Sequence, residues 1–443
     1  MHVVRSRRVV TPEGEKPAAI HIDAGRIKAV TAWADAPADV IDYGELAILP
    51  GIVDTHVHLN EPGRTEWEGF ATATTAAAIG GITTLVDMPL NSIPPTTTRE
   101  AFAAKRAAAK GQCSVDVGFW GGVVPGNQGE LAGLVEDGVR GFKCFLVDSG
   151  VAEFGWVGEK DLATAMPILA GKNAPLLVHA EVAGPIDAVA ASLATADPHR
   201  YATYLASRPP AAEEEAIKLV TGLCRSTKAR THIVHHSAAS ALSLLKAARA
   251  EGLPLTAETC PHYLHFTAEA IPDGATPFKC APPIRDAANR EALWAALAEG
   301  TLDFVASDHS PCSPALKAIE VGDFVAAWGG VAGLQLALSV IWSEASARGH
   351  TLRDLVRWMC EGPARLAGFT GRKGSLQAGA DADLVIFDTE SHQHITSEKI
   401  HHKHRVSPYV GETLRGVVHA TYLRGQRIAE AGRVIAGEQG ALL

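Results

Sequence analysis

His56 and His58 stand one residue apart in "PGIVDTHVHLNEPGRTEWEGF", residues 50–70. Side chains on a strand alternate with period two, so such a pair projects to one face. Two imidazoles on one face suit zinc, cobalt or manganese, although the same spacing also occurs in plain strands. Four more residues with usable chemistry follow: Lys143 in "GFKCF", His179 in "VHAE", His235 in "HHSAA" and Asp308 in "SDHSP". Taken singly, each has an ordinary reading. A lone histidine can be a satisfied core residue, a lysine can snorkel to a rim, and an aspartate can cap a helix.

Their joint placement depends on the elements that carry them. Between Gly51 and about Gly368, short β-branched runs alternate with Ala-rich helical stretches, the pattern of repeated βα units. Strand-like runs fall at 51–56, 82–87, 115–120, 141–145, 175–180, 232–236, 255–259 and 304–308. Eight such units predict an α/β fold, a TIM (β/α)8 barrel over residues 51–373. Active sites of that fold lie at the C-terminal ends of the strands. His56, His58, His179, His235 and Asp308 all fall at such ends, with Lys143 inside the fourth strand, so the four imidazoles and the carboxylate predict a metal centre at one mouth of the barrel. The flanks, residues 1–50 and 374–443, read as short alternating strands with turns such as "DAGR" and "LRGQR". They predict a small discontinuous β-sandwich formed by both termini.

Composition narrows the function. The chain has 443 residues, 47% hydrophobic and 20% charged, with a net charge of −9 and scattered basic residues. No basic footprint for nucleic acid and no membrane-spanning run is visible, and "MHVVRSRRVV" lacks a signal-peptide core. A small-molecule substrate and a cytoplasmic location are expected. Seven cysteines without a CxxC pair predict reduced thiols and no disulfides. "HHKH" at 401–404 reads as a solvated loop.

Lys143 poses a separate question, because an ammonium has no lone pair to offer a metal. Burial and nearby cations would depress its pKa. The neutral amine could then take up carbon dioxide as a carbamate, an anion with two oxygens able to bridge two ions.

The motifs "PGIVDTHVHL", "GGITTLVDMP", "GFKCF", "VHAE", "HHSAA", "AETCPHYL", "APPIR", "SDHSP" and "GSLQAGADADLVIFD" run nearly the whole length. In that order they resemble the cyclic amidohydrolases, the dihydroorotases, hydantoinases, dihydropyrimidinases and allantoinases of the amidohydrolase superfamily. The resemblance implies two divalent ions, zinc foremost, with cobalt, manganese or iron as alternatives. By it, His56, His58 and Asp308 hold the more buried ion, His179 and His235 hold the second, and carboxylated Lys143 bridges them. It further implies that Asp308 takes a proton from the attacking water and passes it to the departing ring nitrogen, and that the protein is a homo-oligomer, a dimer or tetramer.

Within the group, "HVHLNEPGRTEWEGF" and "VDMPLNSIPPTTT" are similar to the allantoinases, which open the hydantoin ring of allantoin to allantoate in purine breakdown. Dihydroorotases usually grip the substrate carboxylate with an arginine and an asparagine where this chain has Asn60 and Leu90. An uncharged ring is therefore expected, held by those two positions and by main-chain groups near Ala281 and Gly329. A hydantoinase or dihydropyrimidinase is the alternative within the class. That reading is weakened by "CFLVDSG", which lacks the tyrosine common beyond the lysine in hydantoinases. A non-catalytic barrel scaffold is the alternative outside it, and it would be expected to have lost ligands.

Overall fold

A computed structural model describes residues 2–443. Eight strands alternate with helices through the middle of the chain. They are β1 (Ile52–Val57), β2 (Ile82–Asp87), β3 (Asp116–Phe119), β4 (Phe142–Phe145), β5 (Leu176–His179), β6 (Thr231–Ile233), β7 (Leu255–Thr259) and β8 (Phe304–Val305). All neighbouring pairs run parallel. β1, β2 and β3 form one ladder, and β4 to β8 form another with the two-residue strand Gly121–Gly122 at its edge. That edge strand follows β3 after Trp120, whose amide donates to the carbonyl of Asp87 at 2.9 Å. At the other end a parallel bridge joins Val57 to His309, and the amide of His58 donates to the carbonyl of His309 at 2.8 Å.

Alternation decides which side chains face which core. Leu176 and Val178 pack in the larger hydrophobic cluster with helix residues Ile217, Val220, Leu293 and Leu297. Leu177 joins a second cluster with Val53, Val86, Val234, Phe304 and Ala306, one residue or more from each of several strands. His179 shares the parity of Leu177, and Lys143 shares that of Phe145, so both face the second cluster. β1 departs from simple alternation. Its pairing with β2 slips twice, between Ile52 and Val53 and between Asp54 and Val57. Val57 consequently packs toward the helices, and His56 and His58 face away from them.

Strands from the two flanks pair with each other, and they are longer than the short runs read in the sequence. Both termini contribute to one nine-stranded sheet, in which His2–Thr11 and Gly14–Asp23 are ten residues each. Ala47–Pro50 pairs antiparallel with Leu384–His394, which stitches the two flanks together. Where the flanks meet the central region, the buried Lys373 ammonium donates to Asp116 at 2.6 Å and to Asp383 at 2.7 Å, with Asp381 at 3.0 Å. That acidic trio already has its cation.

All seven cysteines are free and buried. Among the described residues no helix is long and apolar enough to cross a membrane. The "HHKH" segment is not simply solvated. His402 is buried against His309, with ring centroids 4.6 Å apart, and the amide of Lys403 donates to Glu68 at 3.1 Å. Spacing along the chain carries no trace of such a long-range contact.

Candidate metal-dependent active site

The six residues singled out in the sequence converge at the C-terminal ends of the parallel strands. His56 Nε2 lies 3.1 Å from Asp308 Oδ1, and His58 Nε2 lies 3.6 Å from the same oxygen. His179 Nδ1 lies 3.0 Å from His235 Nε2. Lys143 is 1% exposed, and its Nζ sits 5.1 Å from the centre of the Phe145 ring. Among the described residues no carboxylate lies within ion-pair distance of that nitrogen.

Two of these positions could not be aimed by strand alternation. His235 and Asp308 fall just past the ends of β6 and β8 and have φ of +38° and +45°. A left-handed backbone is uncommon for non-glycine residues and is tolerated where the surroundings hold it. In β6, Ile233 faces the helices, so plain alternation would turn His235 toward them as well. The reversed φ brings its ring back to the mouth.

Buried carboxylates behind the histidines set their orientation. Glu258 accepts from His56 Nδ1, from His232 Nε2 at 3.1 Å and from the amide of His235 at 3.4 Å. Glu181 accepts from His179 Nε2 at 2.8 Å and from Arg208 at 2.7 Å. The His56 and His179 contacts leave the opposite ring nitrogens, His56 Nε2 and His179 Nδ1, with their lone pairs facing the other donors. Burial and the Lys143 charge hold the His56 imidazole well below its ordinary pKa, burial and His179 do the same for His235, and burial outweighs Glu181 in lowering His179. Neutral imidazoles are the form that binds metal. Burial pushes Glu258 up to about 8 despite Lys143 nearby, whereas the Arg208 guanidinium and His179 overcome burial and hold Glu181 below the usual carboxylate range.

These donors fit divalent ions. The Nε2 atom of His56 is buried without a hydrogen-bond partner, and donor atoms of His56, His235 and Asp308 lie within 4.8 Å of one another. Two ligands on a four-coordinate ion stand about 3.3 Å apart when each bond is about 2.0–2.1 Å, close to the spacings seen here. Glu258 was not singled out in the sequence, although it lies in "AETCPHYL" at the same parity as Thr256 on β7. Glu258→Gln keeps the shape but cannot accept from both histidines. We expect it to weaken metal affinity about 10- to 100-fold, read by chelator competition.

A cavity of about 710 Å³ opens on the site, lined in part by His58, Lys143, His179, His235 and Asp308. Of the four positions expected to hold the ring, Leu90, Ala281 and Gly329 line it. Asn60 does not. It is 1% exposed with φ +66°, and its Nδ2 donates to the carbonyl of Pro311 at 3.3 Å, which turns the amide into the wall. Position along the motif gave no sign of that backbone reversal. The wall also includes Asn91, Ser149, Tyr204, Arg208 and Trp328, none of them singled out beforehand. Two buried lysines fix its main chain. Lys317 Nζ donates to the carbonyls of Lys279 and Trp328, each at 3.0 Å, and to that of Gly330, while Lys279 Nζ donates to Val325 at 2.9 Å and to Ala327. These bonds hold the segment carrying Gly329 against the one carrying Ala281.

A family model described as the amidohydrolase family matches residues 47–428. The chain belongs to the amidohydrolase family. This amidohydrolase is 50% identical to an allantoinase of Streptomyces avermitilis, over 97% of this chain and 96% of that protein. It is 43% identical to an allantoinase of Arabidopsis thaliana, over 99% and 90% respectively. Among solved structures it superposes on the L-hydantoinase (dihydropyrimidinase) of Arthrobacter aurescens with a TM-score of 0.94, at 32% identity, covering 100% of this chain and 99% of that one.

Proposed function

We propose that this amidohydrolase is an allantoinase, opening the hydantoin ring of allantoin to allantoate. The observation that carries this reading is near-full-length similarity to allantoinases at 40–50% identity, against 32% for the L-hydantoinase whose fold it shares. In the same reading, the two parallel ladders close through the Val57–His309 bridge into an eight-stranded barrel over 51–373, and the terminal sheet of 1–50 and 374–443 folds over as a sandwich. Packing of Val4, Ile20 and Ile22 with Leu384, Ile386 and Tyr422 supports the second point. The protein works as a homo-oligomer, and its buried free thiols suit the reducing cytoplasm.

His56, His58 and Asp308 would hold one divalent ion, His179 and His235 the other, with carboxylated Lys143 between them and zinc the foremost candidate. Such ions supply Lewis acidity and lower the pKa of water toward neutrality. The protein's own groups do the rest. Glu258 and Glu181 orient the imidazoles, and the main chain around Ala281 and Gly329 offers donors and acceptors to the ring edges. Asp308 lines the cavity and touches the histidine pair, so its carboxylate can take up the proton of the attacking water. It can then release that proton at the leaving ring nitrogen.

Burial brings the Lys143 amine down to about 8, so its neutral fraction grows as pH rises through that value. Carbamate formation joins the neutral amine to carbon dioxide and releases one proton, so at equal dissolved carbon dioxide reconstitution with zinc should be faster at pH 8.5 than at pH 6.5. Lys143→Ala is expected to lose most bound metal and turnover, with partial recovery of both in short-chain carboxylic acids. Full metal content and normal turnover in that variant would refute the bridge.

A further inference from the structure

We propose that Cys260, His262 and Asp308 form a further metal site, for a thiophilic divalent ion such as cadmium or excess zinc, whose occupation inhibits the enzyme. One donor atom from each residue lies within 4.8 Å of the others. Cys260 directly follows β7, and His262 stands in the short helix Pro261–His265 that comes after it, so both approach Asp308 from the neighbouring strand end. Cys260 and His262 are both 0% exposed.

The second observation is independent of that proximity. Neither ring nitrogen of His262 has a hydrogen-bond partner among the described residues. A fully buried imidazole without a partner is rare, because its polar atoms have given up water for nothing. His236 shares that condition, but it belongs to no cluster of donor atoms.

The donor chemistry distinguishes this site from the histidine-rich pair, which contains no sulfur. A thiolate, an imidazole and a carboxylate form a soft-to-borderline set that zinc and cadmium favour. The thiol would release its proton to solvent as the sulfur–metal bond forms, leaving two anionic ligands to neutralise the dication. A bound ion would draw the donors from within 4.8 Å to about 3.3–3.8 Å of one another. An ion would enter past Asp308, which lines the main cavity and keeps 8% of its side chain exposed.

Inhibition follows because Asp308 is shared: a carboxylate held by a further ion cannot take up and release a proton. That consequence rests on the role assigned to Asp308 above, whereas metal binding by Cys260 and His262 does not.

The test starts from protein reconstituted with zinc and bicarbonate, freed of excess metal and titrated with cadmium chloride. The expected result is one additional cadmium per chain and a thiolate-to-metal charge-transfer band. Allantoin turnover should fall at least tenfold in step with the band. Cys260→Ser should keep its initial turnover, lose the band, and need at least tenfold more cadmium for half-inhibition. His262→Asn, which retains the thiol, should shift the midpoint in the same direction and covers the case in which Cys260→Ser fails to fold. Absence of the band in the unaltered protein, its persistence in Cys260→Ser, or an unmoved midpoint in His262→Asn would overturn the site. A band without loss of turnover would overturn the inhibitory role. A protein that fails to hydrolyse allantoin yet shows the Cys260-dependent band would refute the assigned reaction and leave the site supported.

Discussion

Asp308→Asn is expected to lower kcat for allantoin by at least about 100-fold at matched metal content, the range typical of a lost acid–base group. The substitution is nearly isosteric, so the cavity wall and the left-handed backbone at φ +45° should be kept. An amide, however, cannot take up a proton at neutral pH. It would also present either an oxygen or an NH2 group to His56 Nε2, which now lies 3.1 Å from a carboxylate oxygen. Weaker metal binding would enlarge the effect, so metal should be counted per chain beside each rate. Near-normal turnover in a fully loaded variant would remove Asp308 from the proton path.

The larger expected effect is discrimination by charge: kcat/KM for allantoin should exceed that for dihydroorotate by at least about 1,000-fold. The cations lining the cavity are Lys143, Arg208 and Lys279. Arg208 is engaged by Glu181 at 2.7 Å, Lys279 donates to two backbone carbonyls, and Lys143 is the proposed carbamate. A substrate carboxylate would therefore meet Leu90, neutral side chains such as Asn91 and Ser149, and main chain instead of a free guanidinium. A buried unpaired charge costs several kcal/mol after relaxation, and a penalty of roughly 4 kcal/mol corresponds to about 1,000-fold. Because Asn60 points into the wall, this argument rests on Leu90 and the engaged cations. Leu90→Asn alone should then narrow the gap by less than about tenfold, since one polar group seldom completes a new site. Equal turnover of both substrates by the unaltered protein would defeat the charge argument.

How far the sequence could be read depends on the range of the contacts involved. β5 was legible because Leu176 and Val178 alternate with Leu177 and His179, a period-two pattern contained in four residues. The convergence of the six candidate positions was legible for a related reason, since strand ends are found wherever strands are. The orientation of His235 and Asp308 was not, because a reversed φ follows from packing and not from residue type. Glu258 was overlooked because its partners lie 202 and 26 residues away, and one buried glutamate on a strand looks like any other. The same long range hid the Lys317 and Lys279 clamps, the wall-facing turn of Asn60 and the burial of His402.

The central claim is tested most directly by giving the metal-reconstituted protein allantoin, hydantoin, dihydrouracil and dihydroorotate in parallel and following ring opening of each. Allantoin should be hydrolysed with the highest kcat/KM, and chelation should abolish that activity until metal and bicarbonate are restored. Faster hydrolysis of hydantoin or dihydrouracil, or allantoin turnover that survives complete metal removal, would contradict the account.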